Sequence, residues 1–118
     1  MIADFAAGSA MITFGAVLGK CNLQQLFFLV FWEMIFQALN EALGAKYFKA
    51  VDMGGSMFVH AFGAYYGLAA SYFFQPTRAA KSKNNKASHT SNAFAAIGSI
   101  FLWMYWPSFN GALAKGVT

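Results

Sequence analysis

Residues 50–68 read AVDMGGSMFVHAFGAYYGL. One acid, Asp52, leads into an apolar run that continues to Phe74, and a lone imidazole, His60, sits inside it. The run is too long for a strand and shows no alternation, which leaves a helix. At a 1.5 Å rise, about 22 helical residues span about 33 Å, close to a hydrocarbon core of roughly 30 Å. A transmembrane helix carrying a histidine is therefore the reading from which the rest is built.

The remainder of the chain has the same character. Of 118 residues, 58% are hydrophobic and 10% charged, against about 45–50% and about 25% in ordinary soluble domains. So much apolar surface cannot fit inside one small core, and lipid is the environment that accepts it. Four apolar segments stand out, at about 2–18, 26–48, 53–74 and 93–113. The predicted fold class is all-α, a polytopic membrane bundle of four transmembrane helices. The short connections make sequential helices antiparallel neighbours.

Charge orients the bundle. The loop 75–92 carries Arg78, Lys81, Lys83 and Lys86 and no acid, and Lys20 follows the first segment. Five cations thus fall on the first and third connections, which the positive-inside rule assigns to the cytoplasm. The second connection, with Lys49 and Asp52, is expected outside. A basic loop between apolar spans, without interleaved aromatics, reads as membrane-flanking and not as a nucleic-acid surface. Cys21 is the single cysteine, which excludes an internal disulfide framework. The N-terminus lacks a basic region and a cleavage site, so it is not read as a signal peptide. Residue 3 already lies in a hydrophobic run, and an excerpt of a longer protein is expected.

Polar residues inside the spans fall on stripes. Glu33, Gln37, Asn40, Glu41 and Gly44 share one face of the second helix; Ser56, His60, Gly63, Gly67 and Ser71 share one face of the third. Such a stripe must face protein or a watery path. For Glu33 and Gln37 the first reading is packing between helices. Gly15-x-x-x-Gly19 and Gly63-x-x-x-Gly67 are small-residue packing motifs.

His60 lies about eight residues into its span, roughly 10–12 Å from the outer end. Desolvation disfavours imidazolium, so a neutral ring with one donor and one acceptor nitrogen is expected. Functional use is the default for an intramembrane histidine. No His, Cys or acid stands at ligand spacing from it, so no metal is expected. His89 falls in the hydrophilic loop and is expected to be solvated. Asp52, before Gly54 and Gly55, reads as a helix cap. The tail from Phe101 to Asn110 reads as an interfacial aromatic belt, with a kink or break at Pro107. No nucleophile–base pair, phosphate loop or paired carboxylate is present, and nothing argues for an enzyme or a cofactor.

The strings ADF (3–5), FGAVLGK (14–20), NEALGAKYFKAVDMGGSMFVHAFGAYYGL (40–68) and FLWMYWPSFN (101–110) resemble the Rhesus (Rh) glycoprotein branch of the ammonium transporter family. The resemblance covers the chain apart from the basic loop. It implies a multi-pass plasma-membrane glycoprotein. Subunits of eleven or twelve helices would assemble as a homotrimer or an Rh heterotrimer, each with its own ammonia pore. Four helices of the first half are present here. By resemblance His60 lines the pore, as the first of two histidines; the second belongs to a later helix. Phe5 and Phe109 match the outer phenylalanine gate, Asp52 a site-shaping acid, and Glu41 an acid of the outer vestibule. Asn40 stands where bacterial and plant members carry a cation-recruiting aromatic. Ammonia, ammonium, methylammonium and carbon dioxide all remain candidate loads. The alternative is a non-transporting multi-pass interaction protein whose stripes serve only as packing. A haem protein would need a second deep axial histidine, which His89 does not supply.

Overall fold

The computed structural model describes residues 2–83, 85–112 and 114. Among these the chain forms four α-helices and no strand: α1 Ile2–Val17, α2 Leu23–Ala42, α3 Phe62–Phe74 and α4 His89–Gly111. Wide π-helical turns extend α2 over Leu43–Tyr47 and precede α3 over Ser56–Ala61. A short 3₁₀ turn, Ala79–Lys81, lies in the basic loop.

Polar caps move two boundaries away from those expected. The second helix starts at Leu23 instead of 26, because Asn22 Oδ1 accepts from Gln25 N–H (2.8 Å) while Gln25 Oε1 accepts from Asn22 N–H (2.9 Å). This reciprocal box satisfies two otherwise free donors. Ser88 and Ser91 make the same arrangement, so α4 starts at His89 and not 93. The loop therefore shortens from 75–92 to 75–88, and His89 becomes an exposed first-turn residue of α4. The third helix begins at Ser56 and not 53, because Gly55 adopts φ +71° and interrupts the backbone. The first ends at Val17, one residue early. The fourth ends at Gly111; Leu113, its expected end, lies outside the described residues. α4 does not break at Pro107. Asn110 Nδ2 donates to the Trp106 carbonyl at 3.0 Å, which adds a side-chain tie across that turn.

α1, α2 and α3 pack along one seam. Ser9, Thr13 and Val17 on α1 and Leu29, Glu33 and Gln37 on α2 recur every four residues and are buried, which places each set on one helix face. Against them lie Gly63, Gly67 and Ala70 of α3. A Cβ on Gly63 would sit 2.8 Å from the Ser9 carbonyl oxygen, and one on Gly67 would sit 3.0 Å from Thr13 Cα. That glycine pair is therefore a true contact between backbones. Gly15 and Gly19 are not: neither has a neighbour within 4 Å of such a Cβ, and Gly19 turns the chain at φ +74°. Val17, Leu29 and Ala70 form the apolar end of the seam, covered by Cys21, Leu26, Tyr66 and Phe74.

Most large apolar side chains point outward, among them Phe27, Phe28, Tyr72, Phe73, Phe94 and Trp103. α2 with its π extension, Leu23–Tyr47, is the one helix among the described residues long and apolar enough to cross a membrane by length and composition. α4 has no buried residue and meets the other helices near its C-terminal end.

Candidate functional site

Asp52 organises the turn that carries His60. Its Oδ1 accepts from Ser56 N–H and the Ser56 hydroxyl, both at 2.8 Å; its Oδ2 accepts from Met57 N–H (2.8 Å) and Phe58 N–H (2.9 Å). Three successive backbone donors converge on one carboxylate, and the turn opens to π geometry, a form often found at functional positions. Burial alone would push the Asp52 carboxyl upward. The hydrogen bonds from Phe58, Ser56 and Met57 outweigh it and hold the carboxyl below the usual range.

Because the folded state holds this acid more strongly, its stabilisation is complete above the ordinary aspartate value and is lost as pH falls through the lowered one. Replacing Asp52 with alanine in the full-length protein should cost about 1–2 kcal/mol at neutral pH, as loss of a helix cap does. The gap should close only below about pH 4. Thermal unfolding in detergent measures it. A gap that already narrows between about pH 7 and 5 would mean that ionised Asp52 does not make the cap.

His60 follows directly from this turn. The Gly55 carbonyl receives Val59 N–H and His60 N–H, both at 2.9 Å, and lies 2.9 Å from His60 Nδ1. A carbonyl oxygen only accepts, so Nδ1 carries the proton. In the neutral ring Nε2 then holds a lone pair. His60 is the fifth residue of its helical stretch and not the eighth, so it lies nearer the helix start than the 10–12 Å expected.

Two elements, α1 and α4, deliver aromatic rings to this imidazole. Phe109 of α4 lies with its centroid 5.9 Å from His60, edge to face, and 5.4 Å from Phe5 of α1. Trp106 stands 5.0 Å from His60, also edge to face, and stacks on Phe109 at 5.2 Å. Phe5, His60 and Phe109, expected from three distant parts of the chain, are thus brought together. Trp106 was not among them. Its signal was legible, since three residues before Phe109 on a helix is the same face, but the tail read as a uniform belt. Trp103 is the more exposed of the tail's two tryptophans, at 79% against 40% for Trp106.

Glu41 is not in this cluster. It accepts from Gln37 Nε2 at 3.1 Å, one turn away on α2, and remains half-buried. Asn40 borders a separate shallow apolar cleft with Met57, Phe62 and Tyr65. At the opposite end of the seam, Lys20 Nζ donates to Ser71 Oγ at 2.6 Å beside a cleft that Arg78 and Gln75 also line. The aromatic cluster and the basic loop therefore occupy opposite ends of the bundle.

The family model of the Ammonium Transporter Family matches residues 1–118. The chain belongs to the ammonium transporter family. It is similar to ammonium transporter Rh type B of Pongo pygmaeus, 45% identical over 113 residues, covering 96% of this chain and 24% of the relative. Ammonium transporter Rh type A of Mus musculus is 44% identical over 95% of this chain and 26% of its own length. Rhesus-like glycoprotein B of Dictyostelium discoideum is 41% identical over 93% of this chain and 18% of its own. The chain thus spans about a quarter or less of the length of these curated relatives. The Rh resemblance read from the motifs is borne out by these relatives.

Proposed function

We propose that this chain is part of an Rh-type membrane transporter that passes ammonia, with the cluster of Phe5, His60, Trp106 and Phe109 at the outer mouth of the route. The observation that carries the reading is the convergence of these four rings from α1, the turn before α3, and α4, in a chain of the ammonium transporter family. Moving an ammonium ion into an apolar passage requires stripping its water, at a cost of many kcal/mol. Neutral ammonia avoids that cost. His60 offers a nitrogen lone pair to its N–H groups, and Phe5 and Phe109 restrict entry. Asp52 shapes the site by capping the turn and does not touch the load. Glu41 belongs to the vestibule. The basic loop faces the cytoplasm, opposite the cluster, and the remaining helices of the full-length subunit supply the other walls of its pore.

The test uses the full-length protein in proteoliposomes, with ammonium-driven internal alkalinisation followed by stopped flow. The parent should alkalinise faster than protein-free vesicles. Phe5→Ala and Phe109→Ala should widen the entrance and admit methylammonium more readily. The lost ring pair contributes about 0.5–1.5 kcal/mol, which a large bundle tolerates. Parent rates equal to those of empty vesicles would end the transport reading. Failure of both variants to reach the membrane would make the rings structural core.

A further inference from the structure

Glu33 is fully buried in the seam between α1, α2 and α3. Its Oε1 lies 3.0 Å from Ser9 Oγ and 2.7 Å from Thr13 Oγ1; Thr13 Oγ1 is also 3.0 Å from the Gly63 carbonyl oxygen. Oε2 is buried with no partner. Among the described residues no cation pairs with the carboxyl. The groups around it are the two hydroxyls of α1, Tyr66 of α3, whose hydroxyl donates to the Leu29 carbonyl, and Gln37, which donates to Glu41. Lys20 is engaged with Ser71.

Hydrogen counting decides between two states. Thr13 has one hydroxyl proton and two acceptors within reach. If Glu33 were ionised, that proton would go to Oε1, and half of a buried negative charge would rest on an unpartnered Oε2, an expensive arrangement. If Glu33 carries a proton, its O–H donates to Thr13, Thr13 donates to Gly63, and Ser9 donates to Glu33. Only a neutral carbonyl oxygen is then left without a partner. The 2.7 Å separation fits an O–H···O bond in either direction, so the choice rests on the hydrogen count.

We propose that Glu33 is a proton-bearing positioning residue, a neutral acid whose hydrogen completes the chain Glu33–Thr13–Gly63 and sets α1 against α3. Those elements carry Phe5 and lead from His60, so the role in transport rests on the function proposed above. The protonated lock itself stands on the geometry alone.

The experiment compares full-length parent, Glu33→Gln, Glu33→Leu and Thr13→Val in lipid. The parent-minus-Gln infrared difference spectrum at neutral pH should show the carbonyl stretch of a protonated carboxylic acid, above the amide band. Glutamine can donate to Thr13 as the acid does, so Glu33→Gln should keep thermal stability and transport within about twofold of the parent. Leucine and Thr13→Val strand buried polar groups, and each should shift the folding equilibrium about tenfold or more. A carboxylate band in the difference spectrum, or a glutamine variant as damaged as leucine, would overturn the proposal. If the parent shows the acid band but moves no ammonia, the transport reading fails and the protonated lock stands.

Discussion

On the function proposed above, replacing His60 with aspartate in the full-length protein is expected to turn a route for an uncharged molecule into one that attracts cations. An anion would then stand among the rings of Trp106 and Phe109, where the imidazole now stands 5.0 and 5.9 Å away. A unit charge about 4 Å from an ammonium ion, at an effective dielectric of about 20, contributes about 4 kcal/mol. That is about a thousandfold in relative occupancy at about 1.4 kcal/mol per decade. Ammonium-evoked current in oocytes, absent or small in the parent, should become the dominant signal. Alanine tests the milder half of the argument. It removes the acceptor nitrogen, and loss of one neutral hydrogen bond of about 1 kcal/mol should slow ammonia passage about fivefold without disturbing assembly. If both variants assemble and conduct like the parent, His60 does not line the route.

The second large effect concerns the seam and not the mouth. Gly67→Leu should prevent α1 and α3 from meeting, because even a Cβ there would stand 3.0 Å from both Ala16 Cβ and Thr13 Cα. Backbone cannot yield as the end of a flexible side chain can. Overpacking costs about 1–3 kcal/mol in a well-packed site, and more where backbone must shift. The shift would also pull Thr13 away from Gly63 and Glu33. Little folded protein should reach the membrane, and what does should melt at markedly lower temperature. Gly15→Leu is the control. It has the same residue type and the same small-xxx-small pattern, but open space around its Cβ position, so near-parent expression is expected. Equal damage from the two substitutions would mean that the helix pairing differs from the one described.

Both glycine motifs look alike in one dimension, which marks where sequence reasoning stopped. A GxxxG spacing places two small residues on one face but does not say whether a partner arrives there. α1 arrives at Gly63 and Gly67, and nothing among the described residues arrives at Gly15. The polar stripes behaved similarly. Periodicity put Glu33 and Gln37 on one face, and both are buried, but the identity of their partners depended on α1 offering Ser9 and Thr13 at the matching height. Helix ends were missed for a different reason. Hydropathy marks where apolar runs begin, whereas Asn22–Gln25 and Ser88–Ser91 start their helices several residues earlier with polar side chains.

By itself the sequence determined the helical class, through apolar runs too long and unalternating for strands. It determined the concentration of uncompensated positive charge in one loop, and membership of the ammonium transporter family through the strings around Asp52, His60 and Phe109. These properties are local or additive along the chain, so they survive without coordinates. Tertiary structure alone decided which glycines touch, where the hydroxyls for Glu33 come from, and that the α4 face of Trp106 and Phe109 meets His60 and Phe5. The tautomer of that ring was decided locally, by backbone geometry that hydropathy does not show: the Gly55 carbonyl faces Nδ1 in the turn where Asp52 gathers the N–H groups of Ser56, Met57 and Phe58. The contacts between helices depend on distances between segments far apart in the chain, and burial makes them sensitive to an error of a single ångström.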